Sequence, residues 1–146
     1  VGSEMCIRDR VNATYYSALG EADEKMLLAR AIQMFMPGKP QVWYLDLFAG
    51  KNDHEAVRRA GESGHKEINR TNLSTDQIAE DLKKDVVQKQ LALIRMRNTH
   101  KAFSEGAEVA ISGGESSLQI RWEYNSAFAT LNVNFESGTY TIVESR

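Results

Sequence analysis

The chain has 146 residues, enough for one domain, and its 42% hydrophobic and 26% charged content is ordinary for a soluble globular chain. A formal net charge of −2 and a pI near 6.0 give no basic footprint for nucleic acid, and no apolar run approaches the roughly 18 residues of a membrane span. The single cysteine, Cys6, excludes an internal disulfide framework and fits a reducing compartment, so a cytoplasmic location is expected.

Residues 1–10, "VGSEMCIRDR", have no initiator Met at position 1, no signal-peptide architecture and no apolar period. The stretch resembles translated read-through of a sequencing-library adapter; a native loop is the alternative. Either way it is set aside from fold reasoning, and Cys6 with it.

From Glu21 to Met36, Leu28, Ala31, Ile32 and Phe35 fall at the i, i+3, i+4, i+7 spacing of an amphipathic helix. "PGKP" ends it, because Pro37 and Pro40 cannot continue the hydrogen bonding. Val42 to Phe48 is apolar and aromatic except for Asp46, which predicts a strand buried on both faces, as in a parallel sheet. Gly50 through Thr71 reads as a long polar loop. Ser74 and Gln77 form a capping box, and helical periodicity follows through Ile78, Leu82, Val86, Leu93, Ile94 and Met96. From about Phe103, "AEVAIS", "SLQIRWEY", "AFATLNVN" and "TYTIVES" are short β-rich runs separated by turn residues, the pattern of an antiparallel meander. Trp122, Phe128, Leu131, Phe135 and Tyr140 are its expected core.

This order leaves the strand at Val42–Phe48 with no sheet neighbour, although its backbone groups must be satisfied somewhere. That is a physical argument for a piece of a larger fold whose other strands lie upstream. Alone, such a piece is expected to be prone to aggregate.

Three stretches together, "VNATYYSALG", "LLARAIQMFMPGKPQVWYLDLFAGKND" and "EINR", resemble the end of a sucrose-phosphorylase-type enzyme, in glycoside hydrolase family 13 of the α-amylase superfamily. The resemblance covers nearly the whole chain after Arg10. It implies an α/β fold: residues 11–101 would be the C-terminal part of a (β/α)8 TIM barrel, with its seventh helix, eighth strand (Val42 to Leu47) and eighth helix. Residues 102–146 would be a small antiparallel β-domain. The loop after Phe48 would then lie on the catalytic face, at the carboxyl ends of the strands.

In similar enzymes that loop sends a basic side chain into the glucosyl pocket, from an Arg followed by Asp-Ile-Asn-Arg. Here the stretch is "KEINR": Lys66 takes the Arg position, Glu67 replaces the acid, and Ile68, Asn69 and Arg70 match. Lys is a flexible point charge where Arg is a rigid fork, and "AGESGH" lengthens the loop. Lys66 and His65 would suit an anionic acceptor, so sucrose 6′-phosphate and glucosylglycerate phosphorylases stay open beside sucrose phosphorylase. The resemblance implies double displacement with retention, the glucosyl-enzyme being intercepted by inorganic phosphate to give α-glucose 1-phosphate. It places the nucleophile, the acid/base and the stabilising Asp upstream, so no catalytic residue is assigned here. Expected partners are a sugar and phosphate, with no cofactor, metal, nucleic acid or membrane; a homodimeric parent is left open.

The candidate substrate-binding residues are Lys66, His65, Arg70 and Asp53, and each has a structural reading beside the functional one. Asn52 and Asp53 can hold the loop through side-chain to backbone bonds. Arg70 can support the loop or pair with an acid, and Asp46 can be a hydrogen-bonded structural acid. His54 and His65 lack a third ligand for a metal. Tyr15 and Tyr16 can pack beneath the loop, and "EDLKKD" reads as a solvated helix face. Two other classes stand against the phosphorylase: a non-catalytic carbohydrate-binding β-module using Trp122 and Tyr124, and an α-glucoside hydrolase of the same superfamily.

Overall fold

The computed structural model describes residues 12–145, apart from the side chains of Glu62 and Ser63. Residues 1–11, with the adapter-like stretch and Cys6, lie outside the described residues. Helices come first: α1 (Tyr15–Ala18), α2 (Asp23–Phe35), α3 (Tyr44–Leu47), α4 (His54–Ala60), a 3₁₀ helix (Gly61–Asn69), α5 (Thr75–Asp81) and α6 (Asp85–Thr99). A short 3₁₀ turn, Lys101–Phe103, leads to β1 (Glu108–Gly114), β2 (Ser117–Tyr124), β3 (Ala127–Asn134) and β4 (Thr139–Glu144).

Asp23 and Glu24 place negative charge in the first turn of α2, where the helix dipole favours it. The helix stops at Met36, which is extended because Pro37 disfavours helical backbone in the residue before it. Its inner face buries Met26, Leu27, Ala31, Met34 and Phe35, and with them Arg30. That face lies along α6, which buries Val86, Val87, Gln90 and Leu93 at matching helical spacing.

The four strands form an antiparallel sheet in sequence order. Its register aligns Ile111, Ile120, Leu131 and Ile142 across the sheet, and Val109, Trp122 and Ala129 in the adjacent row. Side chains directly opposite share a face, so these rows make the apolar side of the sheet. Ile120, Trp122, Ala129, Leu131 and Val133 form one core with Ala31, Met34 and Phe35 of α2, Leu93 of α6 and Ala102. A second cluster gathers Met26, Leu27, Ala49, Val86 and Val87.

The meander and the first helix follow the sequence pattern closely, and the Ser74–Gln77 capping box is present. Four expectations change. Val42–Phe48 is not a strand: residues 44–47 are the helix α3, after extended backbone leading to Trp43. A strand needs a neighbour for its ladder, and without one among the described residues the Leu47, Phe48 and Gly50 N–H groups are satisfied locally, on Trp43, Tyr44 and Leu45 carbonyls. The segment Gly50–Thr71 is no open loop but holds α4 and the 3₁₀ helix. The helix after Ser74 breaks between Asp81 and Asp85 into α5 and α6. Two residues expected in the core are not in it: Phe135 is 47% exposed, because it follows the last residue of β3 and its N–H bonds the Ser116 carbonyl across the turn, and Phe128 pairs with Glu123 on the other face of the sheet, under Arg121.

Trp122 fixes the sheet to α2: its indole Nε1 donates to the Phe35 carbonyl at 2.6 Å. The Arg97 guanidinium lies 4.2 Å from the Trp122 ring centroid and 4.6 Å from that of Phe103. Trp122→Phe removes the only donor this buried carbonyl has from the sheet and part of the stacking surface. We expect a loss of about 2 kcal/mol in urea unfolding, with an unchanged denaturant slope; a loss below about 0.5 kcal/mol would show that the bond carries no weight.

Candidate functional site

The site is built where the start of α1 meets the segment after Trp43. A helix start leaves its first N–H groups without intrahelical partners. Here side chains from far along the chain satisfy them. Asp46 Oδ1 accepts from Tyr15 N–H and Asn52 Oδ1 from Thr14 N–H, both at 2.7 Å. Thr14 Oγ1 accepts from Ser17 N–H at 3.1 Å, and Asn52 N–H returns a bond to Ser17 Oγ at 3.0 Å. Thr14 is fully buried.

The "AGKND" turn reaches this position through a tight reversal. Ala49 adopts a left-handed backbone (φ 51°), and a Cβ on Gly50 would come within 2.4 Å of Leu45 Cδ1 and 3.0 Å of the Leu45 carbonyl oxygen. Glycine is therefore required at 50. The far end of the segment is tied back: Trp43 Nε1 donates to the Asn69 carbonyl at 3.0 Å, and the Tyr44 hydroxyl to the Thr71 carbonyl at 2.7 Å.

Between α1, α2 and the Gln41–Asp46 segment lies a cleft of about 470 Å³, lined by Tyr15, Arg30, Gln33, Gln41, Trp43 and Asp46 among others. Arg30 is 1% exposed. Its Nε donates to Gln90 Oε1 at 2.8 Å and its Nη1 to Gln33 Oε1, while Nη2 is buried without a partner among the described residues. Gln90 Nε2 donates in turn to the Leu47 carbonyl at 3.0 Å. Burial pushes the Arg30 guanidinium below its ordinary pKa, against the attraction of Asp46 and Tyr15. Burial also raises Asp46, opposed by the Tyr15 N–H bond and the charge of Arg30.

The four candidate residues lie on the outer side of this assembly and do not line the cleft. His65 and Lys66 are exposed neighbours on the 3₁₀ helix. Arg70 is exposed just beyond it, with Nη1 3.5 Å from Glu67 Oε1. Asp53 Oδ1 caps α4 by accepting from Ala56 N–H at 2.8 Å, and its own N–H donates to the Ile68 carbonyl. Asp46 is the acid the structure puts beside a buried cation. Among the described residues no three His, Cys, Asp or Glu side chains converge.

Sequence reasoning missed Arg30 and Gln90. One signal was present: Met26, Arg30 and Met34 repeat every four residues, so a charged residue sits on the apolar face of α2. The β-module reading fails on Trp122, which is 8% exposed and covered by Arg97, leaving no aromatic platform with Tyr124.

Two predictions follow from this geometry. Asn52→Ala leaves the Thr14 N–H buried and unpaired and should cost about 1–3 kcal/mol, whereas Asn52→Asp, which keeps the acceptor, should cost less; equal losses would deny the bond its role. Asp46 binds its proton more tightly folded than unfolded, so its ionised form lowers stability above the carboxylate range. That cost disappears as pH falls through the raised folded value. Asp46→Asn keeps an oxygen for Tyr15 N–H and removes the charge. Its melting temperature should exceed that of the parent sequence at pH 7, with the difference shrinking on acidification; a less stable variant at pH 7 would contradict this.

No family model matches the sequence. A sucrose 6(F)-phosphate phosphorylase of Ilumatobacter coccineus is 52% identical over 133 residues, 91% of this chain and 25% of that protein. A sucrose phosphorylase of Agrobacterium vitis is 43% identical over 136 residues, 93% of this chain and 27% of that one. The crystal structure of sucrose 6F-phosphate phosphorylase from Thermoanaerobacter thermosaccharolyticum superposes with a TM-score of 0.87 at 40% identity, over 94% of this chain and 27% of that one. The homologues are thus sucrose and sucrose 6(F)-phosphate phosphorylases, which are enzymes, and the chain spans about a quarter of the length of the curated relatives it matches.

Proposed function

We propose that this chain is the C-terminal quarter of a glycosyltransferase of the sucrose-phosphorylase type. The parent cleaves an α-glucoside, sucrose or its 6′-phosphate, with inorganic phosphate and releases α-glucose 1-phosphate. The observation that carries this reading is the match to such enzymes along nine-tenths of the chain in both sequence and structure. On this reading residues 11–101 complete a (β/α)8 barrel of glycoside hydrolase family 13, and residues 102–146 are its β-domain. The extended backbone before α3 supports it, since that segment takes up its strand only beside neighbours that the rest of the parent supplies.

The chemistry is retaining double displacement. The chain's own share is to hold the segment from Asp46 to Arg70 in place through Asn52, Asp53 and the Asn69 contacts, with Lys66 and His65 displayed on the 3₁₀ helix. Lys66 is an exposed cation on the 3₁₀ helix, so an anionic sugar is the acceptor it would favour. Phosphate and phosphorylated sugars are intracellular solutes, which puts the parent in the cytoplasm.

The test is to express the complete parent and follow glucose 1-phosphate from sucrose and from sucrose 6′-phosphate, with and without phosphate. Phosphate-dependent release is expected, and free glucose at a phosphate-independent rate would make the parent a hydrolase. In the same protein, Lys66→Met should raise KM for sucrose 6′-phosphate about tenfold, equivalent to about 1.4 kcal/mol, with KM for sucrose within about twofold. Equal effects on both sugars would remove Lys66 from phosphate recognition.

A further inference from the structure

Residues 54–69 leave the body of the chain and return to it, and apolar burial does little to hold them there. Neither core cluster takes a residue between 50 and 85 among the described residues, and α4 buries none of its side chains. α4 and the 3₁₀ helix pack on each other instead. The approach is close: a Cβ on Gly64 would fall 2.6 Å from Ala60 Cβ and 2.8 Å from the Val57 carbonyl oxygen. The two helices are thus one packed unit, and its placement rests on a few polar ties at its base. Asp53 N–H closes the unit by donating to the Ile68 carbonyl at 2.8 Å. Two further ties come from adjacent aromatic side chains, Trp43 Nε1 to the Asn69 carbonyl and the Tyr44 hydroxyl to the Thr71 carbonyl. Asn69 Nδ2, 3.4 Å from the Ala13 carbonyl, adds a longer one.

We infer that Trp43 and Tyr44 are positioning residues for the sugar-binding face. They set where α4 and the 3₁₀ helix, with His65, Lys66 and Arg70, stand relative to the rest of the chain. The inference rests on the reading of that segment as part of the catalytic face.

Two observations carry it beyond a pair of surface bonds. First, Trp43 is 50% exposed and Tyr44 38%, so neither ring contributes the burial that aromatic side chains usually bring. What each brings is a polar group at the end of a rigid arm. Second, adjacent residues of a strand point to opposite faces, yet these two reach the same segment. The backbone turns from extended at Trp43 (ψ 139°) into α3 at Tyr44, which leaves the ring centroids 5.0 Å apart. The accepting carbonyls, 69 and 71, flank Arg70, so its backbone is fixed on both sides. The Arg70 side chain then meets Glu67 on the 3₁₀ helix at 3.5 Å. Trp43 and Tyr44 act on the sugar only through the backbone they hold.

The test compares the complete parent with its Trp43→Phe and Tyr44→Phe variants, each of which keeps an aromatic ring and removes one donor. In native-state amide exchange, residues 54–69 should exchange about threefold faster or more in both variants. Exchange in α2 and the four strands should stay as in the parent. KM for the sugar that the parent turns over should rise by a similar factor, with kcat within about twofold. Unchanged exchange in residues 54–69 would overturn the inference. So would faster exchange throughout the chain, which marks a general loss of stability. Faster local exchange with an unaltered KM would overturn it too, since the ties would then hold backbone that the sugar does not sense. Phosphate-independent turnover would count against the phosphorylase assignment alone and leave the exchange and KM comparisons readable.

Discussion

Much of this structure depends on where the chain goes after Phe35, and that is set from the opposite end of the sequence. The last carbonyls of a helix lack partners within it. Here one of them, on Phe35, is taken by the indole N–H of Trp122 in the middle of β2. Arg97, stacked on the same indole, donates from Nη2 to the Gly38 carbonyl at 3.0 Å. The turn "PGKP" is therefore clamped between the sheet and the end of α6. Its exit direction determines where Gln41 to Asp46 run and so where the cleft opens. Burial of the α2 face against the sheet drives the association; the two donors decide its register. One Arg97 nitrogen, Nη1, stays buried without a partner among the described residues, so the stacking comes with a cost.

A second level of organisation is polar and equally non-local. Thr14 and Tyr15 give their N–H groups to Asn52 and Asp46, more than thirty residues away. This closes α1, the turn through Gly50 and the start of α4 into one unit. Asp53, a ligand candidate in the sequence, is occupied in holding backbone, as is Asn52 beside it. Asn52 and Asp53 supply the support, and Lys66 and His65 are the groups left on the surface.

How far the sequence could be read varied with the range of the interaction. The periodicity of α2, the Ser74–Gln77 box and the four strands were legible because each rests on neighbours within a few residues or on a simple alternation. Val42–Phe48 was read as a strand, and its composition suits one, but a strand is a property of a pair. Among the described residues it has no partner, and α3 forms instead. Phe135 misled for a similar reason: its residue type says core, while its place just beyond the end of β3 says surface. At the candidate site, the chain stretch was legible and the roles were not. Nothing near Asp53 in sequence shows that its carboxylate caps a helix and that its N–H meets Ile68.

By itself, the sequence determined the local elements, the two-part order of helices followed by a meander, and the resemblance that leads to the phosphorylase reading. These need only short-range propensity, spacing and motif. Tertiary structure alone decided that Trp122 is a buried donor and not a sugar platform, and that Asp46 stands near a buried Arg30. The physical reason is that burial and hydrogen-bond satisfaction depend on which distant residues share a space. Only the folded chain sets that.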